Sequence, residues 1–151
     1  MTPNALQDLL GIVGKLALVT DSGRNSWPDV APVLAVAGAK VVVSDRTAAD
    51  FAPIVEQIRN NGGEAIGILT DVENEVDVIS RFAQTAAHWG TPDIAVNCAA
   101  MTNDGPLTEF TESEWDEVLS VDLKWVFFCT REGFMPPPPV CDAAATSNTE
   151  H

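Results

Sequence analysis

Short apolar runs alternate with longer amphipathic stretches along most of this chain. The runs are Leu16-Ala17-Leu18-Val19-Thr20, Lys40-Val41-Val42-Val43-Ser44, Ala65-Ile66-Gly67-Ile68-Leu69 and Asp93-Ile94-Ala95-Val96-Asn97. The second is an unbroken β-branched core, as expected of a parallel strand buried on both faces. Turn signals precede the last two, Asn61-Gly62-Gly63 and Gly90-Thr91-Pro92. Between the runs the period is helical. Val30 to Ala37 is apolar and stops at Gly38, a suitable C′ residue. Ala48 to Asn60 sets Phe51, Ile54, Val55 and Ile58 on one face. Glu75 to Trp89 predicts a stripe of Val76, Ile79, Phe82, Ala83 and Ala86. A fourth helix opens on a capping box, Thr111 as N-cap and Glu114 at N3, and continues with Trp115, Val118, Leu119, Leu123 and Val126. Strands alternating with helices predict an α/β fold with a parallel sheet and right-handed crossovers.

The ends depart from this pattern. Residues 1–13 read as an N-terminal extension and 14–135 as one half-domain. The run Pro136-Pro137-Pro138-Pro139 stops any helix, and 136–151 reads as a polar, disordered tail. No run approaches the ~18 apolar residues of a membrane span. Met1 to Leu10 carries Asp8 and no basic residue, unlike a signal peptide, so a cytoplasmic location is expected.

Charge narrows the partners. The 151 residues carry 22 acidic and 8 basic side chains, net −14. Such a surface repels a phosphate backbone and an anionic membrane, so neither nucleic acid nor membrane is expected as a partner. The cysteines, Cys98, Cys129 and Cys141, are odd in number and lack zinc-ligand spacing. His88 and His151 stand far apart and read as surface residues.

The ordered landmarks resemble the short-chain dehydrogenase/reductase family. Gly14-Lys15-Leu16-Ala17-Leu18-Val19-Thr20 is similar to its first strand. Gly38 to Arg46 resembles its second strand with the ribose-binding acid. Gly62-Gly63-Glu64-Ala65 and Thr70-Asp71-Val72 resemble the approach to, and the end of, its third strand. Trp89 to Asn97 resembles the approach to the fourth, and Glu114-Trp115-Asp116 with Val121 to Phe128 its long helix. The resemblance runs from about Gly14 to Thr130. It implies a Rossmann-like doubly wound sheet of about four strands in the order 3-2-1-4, incomplete relative to the family.

It also implies a cofactor site. Asp45 would accept the adenosine ribose hydroxyls and repel a 2′-phosphate, favouring NAD over NADP, while Arg46 beside it softens that preference. Asp71 and Val72 would touch the adenine, although an Asp after a strand also serves as a plain cap. Asn97 and Ala99 fall in the family's Asn-Asn-Ala-Gly signature, here Asn97-Cys98-Ala99-Ala100. Ser22, Gly23 and Arg24 are what remains of the phosphate loop.

That loop is much altered. The pattern Thr-Gly-x-x-x-Gly-x-Gly becomes Thr20-Asp21-Ser22-Gly23-Arg24-Asn25-Ser26-Trp27. Its glycines allow a tight turn and close backbone approach to the pyrophosphate. Asp21 adds negative charge there, and Trp27 adds bulk. Pro28 suits N1 if Trp27 is the cap, and Pro32 is then expected to kink the helix one turn in. Tight dinucleotide binding is therefore not expected. Asp122 stands where the family has an Asn, and Trp125 where it usually has Gly.

The family's general acid is a Tyr assisted by Lys and Ser. The sequence contains no Tyr, and its lysines, Lys15, Lys40 and Lys124, all belong to other landmarks. The expectation is an oxidoreductase by ancestry, inactive as this chain. The alternative is a non-catalytic protein-interaction module, pairing through an exposed fourth-strand edge and the long helix, with Trp27 and Trp125 filling the cofactor cleft. Expected partners are a second copy or a full-length homologue. A third possibility is an NAD-binding subunit borrowing catalytic groups from such a partner.

Overall fold

The computed structural model describes residues 7, 9–21, 29–98, 100–102 and 105–134. Ser22, Gly23, Arg24, Trp27, Pro28, Ala99, Cys141, His151 and the 136–151 tail lie outside the described residues.

β1 (Leu16–Thr20), β2 (Lys40–Asp45), β3 (Ala65–Leu69) and β4 (Ile94–Asn97) form one parallel sheet in the order β3-β2-β1-β4. In register, Leu18 stands opposite Val42 on one side and Ala95 on the other. The alternation of side chains across the sheet splits the core in two. Ala17, Val19, Val41, Val43 and Ala65 face α1 (Val30–Val36) and α2 (Ala48–Asn60). Leu16, Leu18, Val42 and Ile68 face α3 (Glu75–Trp89) and α5 (Trp125–Phe134). Helices thus cover both faces, as a parallel sheet requires.

The expected four-stranded doubly wound architecture is present, and several local expectations hold with it. The α2 stripe is buried at Ile54, Val55 and Ile58. Phe51 lies over Gly67 of β3, where any Cβ would run into its ring. Gly38 takes φ +95° after α1, and the amides of Gly38 and Ala39 close on the carbonyls of Ala35 and Leu34. Asp93 clasps the start of β1, accepting from Leu16 N and Lys15 Nζ at 2.9 Å each.

Three helical expectations need correction. Pro32 does not kink α1. The N-cap is Asp29, which puts Pro32 at N3, and the first helical bond runs from Val33 N to Asp29 O at 2.9 Å. A residue in that first turn has no intrahelical partner for its N–H, so proline loses nothing there. The α3 stripe is rotated. Val76 and Ile79 are 70% and 43% exposed, Ala83 is exposed as well, and the buried face is Val78, Arg81, Phe82 and Thr85.

The long helix is interrupted. α4 (Glu112–Leu119) starts from the Thr111–Glu114 capping box, then Ser120–Lys124 form a π turn before α5. The extra residue in that turn shifts the facing of everything downstream. After the turn Trp125, Phe128 and Cys129 enter the core; Leu123 within it is 62% exposed, and Trp115 before it is 51% exposed. Trp125 is fully buried in that cluster and forms no part of the cleft lining, so it does not fill the cofactor cleft.

Candidate functional site

A cleft of about 210 Å³ opens where the carboxyl ends of the strands meet α4, the usual ligand position in an open α/β sheet. Asp21 follows β1, Ser44 and Asp45 end β2, Thr70 and Val72 follow β3, and Ala100 and Met101 follow β4. Arg46, Glu73, Glu117 and Val121 complete the lining.

Asp45 is 3% exposed. Its Oδ1 accepts from the amide of Arg46 at 2.7 Å, while Oδ2 has no hydrogen-bond partner among the described residues. Thr70, 2% exposed, is likewise without a partner at Oγ1. Buried polar atoms are rarely left unpaired, because each costs about 1–3 kcal/mol. Both residues line one cleft, and a hydroxyl-bearing ligand drawn close to them would supply the missing partners. Arg46 is held across the rim by Glu73, Nη1 to Oε1 at 3.7 Å.

The other expected site residues divide. Val72 lines the cleft. Asp71 turns onto the backbone instead, its Oδ1 accepting from Glu73 N at 3.1 Å, which is the plain cap. Asn97 pairs in register with Thr20 on β4 and does not line the cleft. Asp21 takes φ 49°, and its amide donates to Ser44 O at 2.8 Å. The left-handed turn that glycine serves is thus kept with Asp, one of the few residues that visit it routinely.

Other groups fix the surroundings. Thr20 Oγ1 accepts from Cys98 N at 3.0 Å, joining the ends of β1 and β4. Burial pushes the Cys98 thiol up, and the charge of Asp21 nearby adds to that. Asp122, in the π turn, accepts from Met101 N at 2.7 Å through Oδ1, tying the chain beyond β4 to the long helix. π turns often mark functional positions.

Sequence reasoning missed Ser44, Thr70, Glu73, Glu117 and Arg81. Arg81 is fully buried behind the cleft floor, donating to Ser44 Oγ at 3.2 Å and to Cys129 Sγ at 2.9 Å. No group of three or more metal-ligating side chains occurs among the described residues.

Known proteins share this fold. A short chain dehydrogenase family model matches residues 15–136. The chain belongs to the short-chain dehydrogenase family. Elsinochrome reductase 1 of Elsinoe fawcettii is 39% identical over 122 residues, 80% of this chain and 46% of that protein. Versicolorin reductase 1 of Aspergillus parasiticus is also 39% identical, over 80% of this chain and 47% of its own length. Among solved structures, a short-chain type dehydrogenase/reductase from Mycobacterium marinum superposes with a TM-score of 0.78 at 26% identity, covering 88% of this chain and 53% of that one. A short-chain dehydrogenase/reductase from Burkholderia xenovorans gives 0.75 at 28% identity, covering 80% and 50%. The chain therefore spans about half the length of these relatives. The four-stranded order and flanking helices correspond to their Rossmann-like half. No helix among the described residues is long and apolar enough to cross a membrane.

Proposed function

We propose that this chain is the nucleotide-binding half of an oxidoreductase that holds the adenosine end of NAD in the cleft. The family implies an NAD(P) cofactor. The observation that carries the reading here is the unpaired, buried Oδ2 of Asp45 at the end of β2. It accepts a ribose hydroxyl, and Thr70 Oγ1 beside the same cleft takes a second polar contact. Val72 and Val121 provide apolar surface against the base. When bound, the nicotinamide supplies or accepts hydride.

NAD is favoured over NADP. A 2′-phosphate would meet the Asp45 carboxylate, and the guanidinium that could offset it already faces Glu73. The turn at Asp21 keeps its left-handed backbone but places a carboxylate at the mouth of the phosphate loop. Ser22, Gly23, Arg24, Asn97 and Ala99 remain cofactor-binding candidates by resemblance alone. These 151 residues, lacking Tyr, do not reduce a carbonyl unaided. Thermal melting tests the reading. A ligand binding only the folded form raises Tm, by up to about 2.7 kcal/mol of stability at a hundredfold excess over Kd. NAD at millimolar concentration should raise Tm more than NADP does. No shift with either would remove the proposal.

A second reading rests on the outer face of the long helix. Trp115, Leu123 and Phe127 are each more than half exposed. Among the described residues β4 pairs with β1 alone, at one side of the sheet. An interaction module would use these surfaces to take up a second copy or a full-length homologue. Sedimentation of the wild type against Leu123→Glu distinguishes the readings, since only the second makes assembly depend on that residue.

A further inference from the structure

We infer that Ser44 is a binding residue whose hydroxyl donates to a ring nitrogen of the bound base, and that Arg81 is the positioning residue that aims it. This rests on the reading that an adenosine occupies the cleft, and deepens it by naming the kind of atom the base presents there.

Arg81 fixes the sense of the Ser44 hydroxyl. Its Nη1 donates to Ser44 Oγ at 3.2 Å, and the two residues are 0% and 1% exposed. A guanidinium carries five N–H donors and no acceptor, so this bond runs one way only. Ser44 Oγ accepts, and its own hydrogen is left to donate elsewhere. Among the described residues no hydrogen bond has Ser44 Oγ as its donor. A hydroxyl that accepts from a cation is polarised, which makes it the stronger donor. Arg81 has no carboxylate among its described hydrogen-bond partners, and burying a cation in that state costs stability. Holding Ser44 gives such a side chain a use that packing alone does not.

Ser44 also lies on the side of the sheet where a base finds apolar surface. Side chains alternate across a strand, so Ser44 shares a face with Val42, which packs toward α3 and α5. Val72 and Val121 pack against that same cluster, and both line the cleft together with Ser44. Asp45, the next residue in β2, belongs by the same alternation to the face of Val43. The apolar wall and the uncommitted hydroxyl hydrogen are thus on one side, and the ribose acid on the other. A planar ring lying against Val72 and Val121 brings its edge toward Ser44. What a hydroxyl hydrogen needs there is an acceptor. Adenine offers ring nitrogens for this, whereas its amino group donates.

Calorimetry with adenosine and its 1-, 3- and 7-deaza analogues on the full chain tests this, since each analogue replaces one ring nitrogen by C–H. One of the three should bind the wild type about threefold to tenfold more weakly than adenosine. Ser44→Ala should weaken adenosine by a similar factor and no longer distinguish it from that analogue. Arg81→Met should weaken adenosine by about twofold or more when Ser44 is present and add nothing beside Ser44→Ala, because its influence runs through that hydroxyl. The double variant removes both partners of the bond, leaves no orphaned Nη1 in the core and should melt as one cooperative unit. The inference is overturned if all three analogues match adenosine on the wild type, or if Arg81→Met acts equally with and without Ser44. The ribose reading survives either result. Failure of the wild type to bind adenosine at all overturns both.

Discussion

Replacing Arg81 by methionine should leave the protein as stable as the wild type or more so, although the side chain is wholly buried. Arg81 reaches from α3 toward β2 and α5, with no carboxylate among its hydrogen-bond partners in the described residues. Burial lowers its pKa, and the Cys129 thiol opposes that only in part. The same burial pushes the Cys129 thiol up, against the pull of the guanidinium. A guanidinium stays protonated all the same, so a cation is desolvated here. That costs several kcal/mol, and the unpaired Nε adds about 1–3 kcal/mol. Against this stand two hydrogen bonds from a charged donor, each about 1.5–3 kcal/mol, and its position 5.0 Å from the Phe82 ring centre, worth up to about 2 kcal/mol. The terms nearly cancel. Methionine fills much of the same space without the desolvation cost, and such exchanges are neutral or stabilising by about 1–4 kcal/mol. Alanine instead leaves a cavity and should cost about 2–5 kcal/mol. Urea unfolding of both variants measures the contrast. Equal damage from methionine and alanine would mean that the charge itself holds the core together, and the reasoning would be wrong.

Other predictions follow from single contacts. Trp125→Ala should destabilise by about 3–5 kcal/mol in urea, because this fully buried indole is the largest side chain of its cluster. Thr111→Ala should cost about 1 kcal/mol by removing the Oγ1 that accepts from Glu114 N, and the loss should appear in thermal melts. The bonds from Leu16 N and Lys15 Nζ hold the Asp93 carboxyl below the usual range. Its contribution is therefore complete above the ordinary Asp value of about 4 and lost as pH falls through the lowered one. Melts of wild type and Asp93→Asn should differ at pH 7 and converge in acid.

Most of the scaffold was legible because parallel strands bury both faces and so appear as short unbroken apolar runs. The α2 stripe and the Thr111 capping box were equally plain, since each depends on residues within one or two turns. What was hidden depends on contacts distant in sequence. Helical periodicity in α3 pointed to Val76 and Ile79, yet the sheet and α5 bury Arg81 and Thr85 instead. The π turn at Ser120–Lys124 has no local signature, and it shifts the facing of the residues that follow, where Trp125 is buried. At the cleft, Asp45 and Val72 could be read from the family resemblance. Thr70, Glu73 and Glu117 could not, because residues this far apart in sequence converge there only in the folded chain. The turn at Asp21 shows the opposite case. The lost glycine looked disabling, but Asp accepts the left-handed backbone, leaving charge as the substantive change.

The central claim is that Asp45 accepts a ribose hydroxyl, and one comparison addresses it directly. Calorimetry of adenosine against 2′-deoxyadenosine isolates that hydroxyl, and repeating it on Asp45→Asn isolates the carboxylate. A hydrogen bond to a charged group contributes about 1.5–3 kcal/mol, so the wild type should prefer adenosine by about tenfold or more, and the preference should largely vanish in the variant. Equal binding of the two nucleosides by the wild type would contradict the account.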